Sequence, residues 1–285
     1  MQIKKITRSI LALFCVLAAS AQSHTQSLLW EISGNGLSAP SYLAGTFHTM
    51  CAEDFLMKEK VKTALGKTKN LVLEINYTDS GEVEALQKMM SAEQPLSAQL
   101  DAESLKRLEN ILVQYGTSLK EVDSFSPQAL YSLVSKKSFT CAPADLRMYE
   151  IELIKLAMGN GARIGGLETV ETQAKYLGLA YNLHQTIEQL EAGDSYAAIT
   201  KDMIKAFQDE NLEELTRMVR DRRFMNDEQE KWVLTERNRN WAQSMPDMMK
   251  KESTFFAVGG GHLGGNNGVI KLLQDLGYTL KPVIL

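Results

Sequence analysis

Short apolar segments near the two ends of the chain flank a long middle in which hydrophobic residues recur at helical spacing. Six segments have the length and β-favouring composition of strands: SLLWEISG (27–34), PSYLAGTFH (40–48), NLVLEINY (70–77), ARIGGLE (162–168), TFFAVGG (254–260) and TLKPVIL (279–285). The GNG sequence between the first two predicts a β-hairpin or closely paired strands. The uninterrupted apolar cores at 71–73 and 255–258 are typical of strands covered on both faces, as in parallel α/β sheets.

The middle of the chain, from about residue 80 to 245, predicts helices. In DAESLKRLENILVQYG, Leu105, Leu108 and Leu112 share one helical face, and Asp101 is placed to cap the first turn. Further helical patterns cover 145–158, 170–190 and much of 195–245. Because no linker-like or repeated segment divides the chain, these patterns predict one α/β domain. We expect a mixed, largely parallel sheet formed from the N- and C-terminal parts, with a long helical insertion that caps one end.

The first residues predict an export signal. Three basic residues precede an apolar run at 10–19, and small residues follow it. Ala19 and Ala21 fit the A-x-A cleavage rule, so we interpret 1–21 as a signal peptide and 22–285 as the mature domain. The apolar run is short for a bilayer span. The sequence therefore predicts a periplasmic or secreted protein without a transmembrane segment after cleavage.

Composition and net charge indicate whether the protein binds nucleic acid. The 285 residues are 44% hydrophobic and carry a formal net charge of −4. Proteins that bind nucleic acid usually present a clustered basic surface. We therefore expect no nucleic-acid partner.

Two cysteines remain after the predicted cleavage, Cys51 and Cys141. An even pair in an oxidising compartment favours one disulfide. The alternative is a metal-binding thiolate, because Cys51 lies three residues after His48.

Two Gly-x-x-His motifs follow predicted strands, at 45–48 and 259–262. The chain has only four histidines, and glycine is near its average frequency, so two such motifs exceed the number expected by chance. Ligands of open α/β sheets collect beyond the carboxyl ends of the strands. If the strands are parallel neighbours, His48, Glu74 and His262 would meet there.

Two imidazoles and a carboxylate can hold a divalent metal and leave a coordination position for water. Gly45, Gly259 and Gly261 would let the backbone approach the ion or the substrate without an intervening side chain. The alternative is structural: the histidines bond to backbone carbonyls, and Glu74 is a solvated strand end.

The second motif also contains G-x-G-x-x-G at 259–264. A dinucleotide site would need an acidic residue about twenty positions further on, where this chain has only its apolar last residues. We therefore expect neither a nicotinamide nor a flavin cofactor. An anion at the N-terminus of the following helix stays open.

Polar residues in the predicted helices have both structural and functional interpretations. Asn238 shares an otherwise apolar helical face and Arg237 lies at its edge, so they either form a structural network with a carboxylate or act on the substrate. Glu168 and Glu171 fit the solvated first turn of a helix that begins near Thr169. Asp145 similarly fits a helix cap.

The ordered segments LLWEISGNGLSAPSYLAGTFH, LVLEI, GLETVETQ, ERNRNWA and FFAVGGGHLGGNNGVIKLLQDLGY resemble the TraB/GumN family, which is related to the TIKI metalloproteases and more distantly to erythromycin esterase-like enzymes. The resemblance runs through nearly the whole mature chain. It implies an α/β fold, a divalent metal such as manganese or cobalt, with zinc as a further candidate, and cleavage of peptides. The positions that match the family pattern are His48, His262, Glu74, Arg237, Asn238, Gly45 and Gly259.

These residues predict a metal-dependent peptidase. His48, His262 and Glu74 would hold a cation that activates water, or Glu74 would act as the general base. Arg237 or the metal would stabilise the oxyanion. Two alternatives remain: a non-catalytic binding protein for a peptide or glycan, and a metal-free esterase with a histidine base.

Overall fold

The computed structural model describes residues 26–284, apart from the side chains at 135 and 136. The predicted signal peptide lies outside the described residues. Within them, eight strands follow one another along the chain: β1 (Leu29–Ser33), β2 (Ser41–Thr46), β3 (Thr49–Cys51), β4 (Asn70–Leu73), β5 (Leu146–Met148), β6 (Arg163–Gly166), β7 (Thr254–Gly259) and β8 (Thr279–Pro282).

Six of these strands form one mixed sheet in the order β6-β4-β7-β2-β1-β8. The pairs β6–β4, β4–β7 and β7–β2 are parallel, whereas β1 is antiparallel to both β2 and β8. The β1–β2 pairing is the predicted hairpin, and every residue of β2 and β7 is buried, as strands covered on both faces should be. The predicted fold class is confirmed.

Helices occupy most of the rest of the described chain: α1 (Glu59–Gly66), α2 (Ser80–Met89), α3 (Leu96–Gln99), α4 (Ala102–Gln114), α5 (Leu119–Val122), α6 (Pro127–Ser138), α7 (Tyr149–Gly159), α8 (Val170–Ala180), α9 (Leu183–Glu191), α10 (Gly193–Gln208), α11 (Leu212–Val219), α12 (Asp227–Glu230), α13 (Glu236–Lys251) and α14 (Val269–Asp275). A π-helical turn, Lys231–Thr235, joins α12 to α13.

The predicted cap at Asp101 and the helix start predicted near Thr169 are present. The carboxylate of Asp101 accepts a hydrogen bond from the Ser104 backbone at the start of α4, and the Thr169 hydroxyl accepts one from Thr172 at the start of α8. The prediction that a helix begins at residue 145 is wrong about its first residue. Asp145 ends a short 3₁₀ turn, β5 follows, and α7 begins only at Tyr149. Pairing of β5 with β3 overrides the local helical pattern.

The predicted disulfide is present: Cys51 and Cys141, 90 residues apart in sequence, are bonded with their Cα atoms 5.9 Å apart. This excludes Cys51 as a thiolate ligand. The bond lies at one end of the β3–β5 ribbon, whose register pairs Cys51 with Leu146 and Thr49 with Met148. It therefore ties the two strands of the ribbon together. His48, which precedes β3, and Glu150, which follows β5, lie at the opposite end of the ribbon.

Two hydrophobic clusters organise the packing. The larger one surrounds the six-stranded sheet and includes Phe255 and Phe256 of β7. The second consists of residues from the helical middle, with Leu108, Leu112 and Leu133 fully or almost fully buried. The middle is not continuously helical, because β5 and β6 interrupt it and β6 forms one edge of the main sheet. Among residues 26–284, no helix is both long and apolar enough to cross a membrane.

Candidate functional site

The candidate site lies where four neighbouring parallel strands end. His48 follows β2 by two residues, Glu74 comes directly after β4, Glu168 follows β6 by two residues, and His262 lies in the 3₁₀ turn Gly260–His262 after β7. Because the strands run in the same direction, their carboxyl ends open at one edge of the sheet. The chain order places these residues far apart, and the strand order brings them together.

The two motif histidines face one carboxylate oxygen. Nε2 of His48 and Nε2 of His262 each lie 3.9 Å from Oε1 of Glu74. The backbone N–H of Gly259 donates to the same oxygen at 2.7 Å. Glu74 is only 6% exposed, so it is not the solvated strand end of the structural alternative. The predicted convergence of the two imidazoles and the glutamate is therefore observed.

A buried glutamate orients His48. Nδ1 of His48 lies 2.8 Å from Oε1 of Glu150, which also accepts a hydrogen bond from the Thr46 hydroxyl at 2.7 Å. Burial lowers the pKa of His48, but the charges of Glu150 and Glu74 and the hydrogen bond to Glu150 outweigh it and raise the pKa to about 9. In the neutral ring the Nδ1 proton points to Glu150, and the Nε2 lone pair faces Glu74.

Sequence analysis missed Glu150. It stands second in α7, where an acidic residue in the first turn ordinarily indicates favourable interaction with the helix dipole. The useful signal was its apolar surroundings, YEIELIKLA, in which a charged residue needs a partner if the helix is buried. That partner is 102 residues away in sequence.

An amide orients His262. Nδ1 of His262 lies 2.6 Å from Oδ1 of Asn238, whose Nδ2 donates to the carbonyl of Asn267 at 2.8 Å. Burial is the largest of the effects that lower the pKa of His262, to about 3, and the nearby Arg237 charge acts in the same direction. The ring is therefore neutral at pH 7, and its Nε2 lies 3.3 Å from Nη1 of Arg237 and 3.9 Å from Oε1 of Glu74.

A buried ion-pair network fixes Glu74 from the other side. Arg237 donates from Nη2 to Oε2 of Glu74 at 2.5 Å and to Oε1 of Glu168 at 2.6 Å, and it donates from Nη1 to the Val233 carbonyl at 3.1 Å. Nη1 also lies 3.3 Å from Nε2 of His262. Burial opposes ionisation of Glu74, but the Arg237 charge, with help from both histidines, holds its pKa well below the usual range.

Glu168 corrects an expectation. Its side chain is 5% exposed and paired with Arg237, instead of being solvated in the first turn of α8. Glu171 is exposed there, as expected. The structural alternative for Arg237 and Asn238, a network of buried polar partners, describes their contacts, but these contacts lie inside the candidate site.

The three motif glycines have different surroundings. A Cβ atom at Gly259 would lie 3.2 Å from Nε2 of His48 and 3.4 Å from Oε1 of Glu74, so its absence leaves space between these groups. A Cβ at Gly45 would come within 2.7 Å of Leu263, and one at Gly261 within 2.9 Å of Val219. Gly45 therefore permits close packing of the two motif loops, and Gly261 permits close packing of the second loop against α11.

Known proteins similar to this chain identify its family. The model of the TraB/PrgY/gumN family matches residues 28–282. The chain belongs to the TraB/PrgY/gumN family. Metalloprotease TIKI1 of Xenopus tropicalis is 25% identical to it over 325 aligned positions, which cover 91% of this chain and 62% of that protein. The chain thus spans somewhat under two thirds of the length of this curated relative. No solved structure gives a significant match.

The strand-end cluster of this TraB/PrgY/gumN protein opens into an apolar pocket of about 380 Å³. His48, His262 and the backbone of 259–261 form one wall. Side chains from α6, α10 and α11 form the others, so the helical middle does cap this end of the sheet. His48 is the more accessible histidine, with its side chain 56% exposed against 6% for His262.

The donor set of this TraB/PrgY/gumN protein fits a divalent cation in type and orientation. Each imidazole presents Nε2 while its Nδ1 is bound to a protein acceptor, which is the usual arrangement of metal-binding histidines. In the described part of the chain, no three His, Cys, Asp or Glu side chains already have the spacing of a metal site. Ligands about 2.1 Å from a tetrahedral ion are about 3.4 Å apart. The two 3.9 Å separations are about half an ångström wider, so the three side chains would have to move closer together to bind one ion.

Proposed function

We propose that this protein is an exported, metal-dependent hydrolase that cleaves peptides. The observation that carries the proposal is the convergence of two oriented imidazole Nε2 atoms on Oε1 of Glu74, each at 3.9 Å. The similarity to a protein named as a metalloprotease supports a hydrolase that acts on peptides.

The charge of the cluster supports a bound cation. Three carboxylates, Glu74, Glu150 and Glu168, have side chains no more than 8% exposed, and Arg237 is the cation that pairs with two of them. The formal charge of the three carboxylates and Arg237 is −2, and a proton on His48, whose pKa is about 9, offsets one of these charges when no cation is bound. Buried charge is costly unless it is compensated. A divalent cation balances this charge.

His48, His262 and Glu74 would hold the cation, which supplies an activated water when bound. Glu150 holds Nδ1 of His48, and Asn238 holds Nδ1 of His262, so both rings present Nε2. Manganese, cobalt and zinc are the candidate ions, because imidazole and carboxylate ligands suit these metals.

Arg237 acts in this proposal as a positioning residue. Its hydrogen bonds are directed to Glu74, Glu168 and Val233, its Nη1 also lies 3.3 Å from Nε2 of His262, and its side chain is 5% exposed. It therefore keeps Oε2 of Glu74 neutralised and leaves Oε1 to face the histidines. Fixing the orientation of a ligand in this way strengthens metal sites.

Export is supported by two features. The N-terminal pattern of basic, apolar and small residues is that of a secretory signal. The Cys51–Cys141 disulfide is of the kind that persists in oxidising compartments such as the periplasm or the extracellular space.

The proposal is tested by measuring metal content and peptide hydrolysis on the same preparations. We expect the purified protein to retain about one equivalent of metal and to cleave a peptide library, and we expect EDTA to abolish cleavage. His48→Ala and His262→Ala should lose both properties while keeping the circular dichroism spectrum. His184→Ala, at an exposed position in α9, is the matched control and should keep both. Absence of cleavage by a folded, metal-loaded protein would exclude the peptidase.

One observation favours a second candidate, a metal-free esterase. His48 is 56% exposed toward the pocket, and its Nδ1 bonds to a buried carboxylate, as in histidine bases that a carboxylate orients. This enzyme would hydrolyse ester substrates after exhaustive EDTA treatment and would lose activity in Glu150→Gln without any change in metal content.

A further inference from the structure

The apolar pocket beside the histidines has a distinctive lining. Phe139, Met203, Val219 and Val233 are among its side chains, and the helical middle supplies most of its walls. Its described lining residues include His48 and His262 but no Asp, Glu, Lys or Arg. The pocket therefore offers a large apolar surface, and beyond the two histidines at one wall its described lining presents no charged side chain.

Hydroxyl groups of three lining residues are hydrogen-bonded to other protein groups. Thr46 donates to Oε1 of Glu150 at 2.7 Å, and Thr200 donates to the Tyr196 carbonyl at 2.7 Å. Ser138 donates to a carbonyl of its own helix at 3.2 Å. A charged group placed in the pocket would lose water without gaining an equivalent partner, and such a loss is unfavourable.

We propose that this pocket is the specificity site of the enzyme and that it binds a bulky uncharged side chain, aromatic or large aliphatic, of the peptide next to the bond that is cleaved. This assignment rests on the proposed peptidase function, because it takes the occupant to be part of a peptide. The volume of about 380 Å³ lies within the range of small-molecule sites, in which mostly apolar walls enclose the ligand.

The pocket should discriminate strongly between side chains. Full burial of a Phe or Leu side chain is favourable by about 1.5 to 3 kcal/mol, which corresponds to roughly 10- to 100-fold in affinity. Charged side chains gain none of this and are additionally desolvated. We therefore expect peptides with Phe or Leu to bind about 10- to 100-fold more tightly than those with Glu or Lys.

The test uses four acetylated tripeptide amides, Gly-Xaa-Gly with Phe, Leu, Glu or Lys at Xaa, titrated into the EDTA-treated protein and followed by NMR. Metal-free protein separates binding from hydrolysis. Met203→Glu should weaken binding of the Phe peptide by at least about 10-fold, whereas Met203→Leu should leave it nearly unchanged. Met158→Glu, at a 64% exposed position in α7, is the matched control for the added charge.

Equal affinities for the four peptides would overturn the proposal, and so would unchanged discrimination in a folded Met203→Glu variant. If that variant does not fold, the comparison on the unaltered protein decides the question alone. A protein that discriminates among the peptides but hydrolyses no substrate would keep the pocket assignment and refute the proposed function. A protein that hydrolyses all four peptides equally would keep the proposed function and refute the pocket assignment.

Discussion

Gly259→Ala tests the candidate metal site with one methyl group. The added carbon would lie 3.2 Å from Nε2 of His48 and 3.4 Å from Oε1 of Glu74, two atoms that are 3.9 Å apart. In a triangle with these sides, the carbon is about 2.7 Å from the midpoint between the two atoms. The methyl group thus enters the space between two proposed ligands.

The size of the effect follows from the same distances. An ion about 2.1 Å from both atoms lies within about 0.8 Å of their midpoint, so the methyl carbon would be at most about 3.5 Å from it. Except near this upper limit, the methyl group blocks a coordination position or excludes the ion. We expect binding to weaken by about 100-fold or more, beyond the effect of losing an outer-shell partner.

The assay is calorimetric titration of the metal-free protein with Mn²⁺ and Zn²⁺, accompanied by thermal unfolding. The folded state should tolerate the substitution, because the contacts of the new carbon are tight but remain above 3.0 Å. Gly165→Ala is the matched control, since it also adds a methyl group to a strand of the main sheet, where its nearest neighbour is Val72 at 3.6 Å.

If Gly259→Ala binds both metals as tightly as Gly165→Ala, the space between His48 and Glu74 does not hold the ion. If Gly259→Ala unfolds, the metal affinity of the unaltered protein and of the His48→Ala variant still tests the ligand assignment. The geometry predicts that the folded Gly259→Ala variant loses metal affinity and that the Gly165→Ala variant keeps it.

Three further substitutions test separate parts of the structure. Glu150→Gln should lower metal affinity by about 10- to 100-fold in calorimetric titration, because it removes the charge that orients His48; unchanged affinity would refute this role. Arg237→Met should lower the free energy of unfolding in urea by about 3 to 5 kcal/mol, because it leaves Glu74 and Glu168 buried without their cation. Arg239→Met, which removes an exposed ion pair from the same helix, should cost less than about 1 kcal/mol, and equal losses would contradict the distinction. Replacing both disulfide cysteines with serine should lower the free energy of unfolding by about 4 to 5 kcal/mol, since the bond closes a 90-residue loop; a loss below about 1 kcal/mol would show that the unfolded chain is not appreciably constrained.

Local patterns predicted the parts of the fold that depend on local structure. The GNG turn predicted the β1–β2 hairpin, Asp101 caps α4 as expected, and α8 begins directly after Thr169, near its predicted start. Convergence of His48, Glu74 and His262 was also predictable, because it requires only that β2, β4 and β7 be parallel neighbours. The continuous apolar cores of β4 and β7 favoured that arrangement.

Contacts between distant segments were not predictable in the same way. Asp145 has the signature of a helix cap, yet pairing of β5 with β3 displaces the helix start to Tyr149. Glu168 has the signature of a solvated first turn, yet Arg237 from α13 binds it in the interior. In both cases a tertiary contact outweighs a local preference of roughly 1 kcal/mol or less.

The sequence by itself determined the class of fold, the strands that carry the two motifs and the types of side chain at their ends, because these follow from hydrophobic period and turn chemistry along the chain. Only the tertiary structure decided which partners orient those side chains. Glu150 reaches His48 across 102 residues, and Arg237 reaches Glu74 across 163. Such pairings depend on strand order, the β3–β5 ribbon and its disulfide, and no local pattern records them.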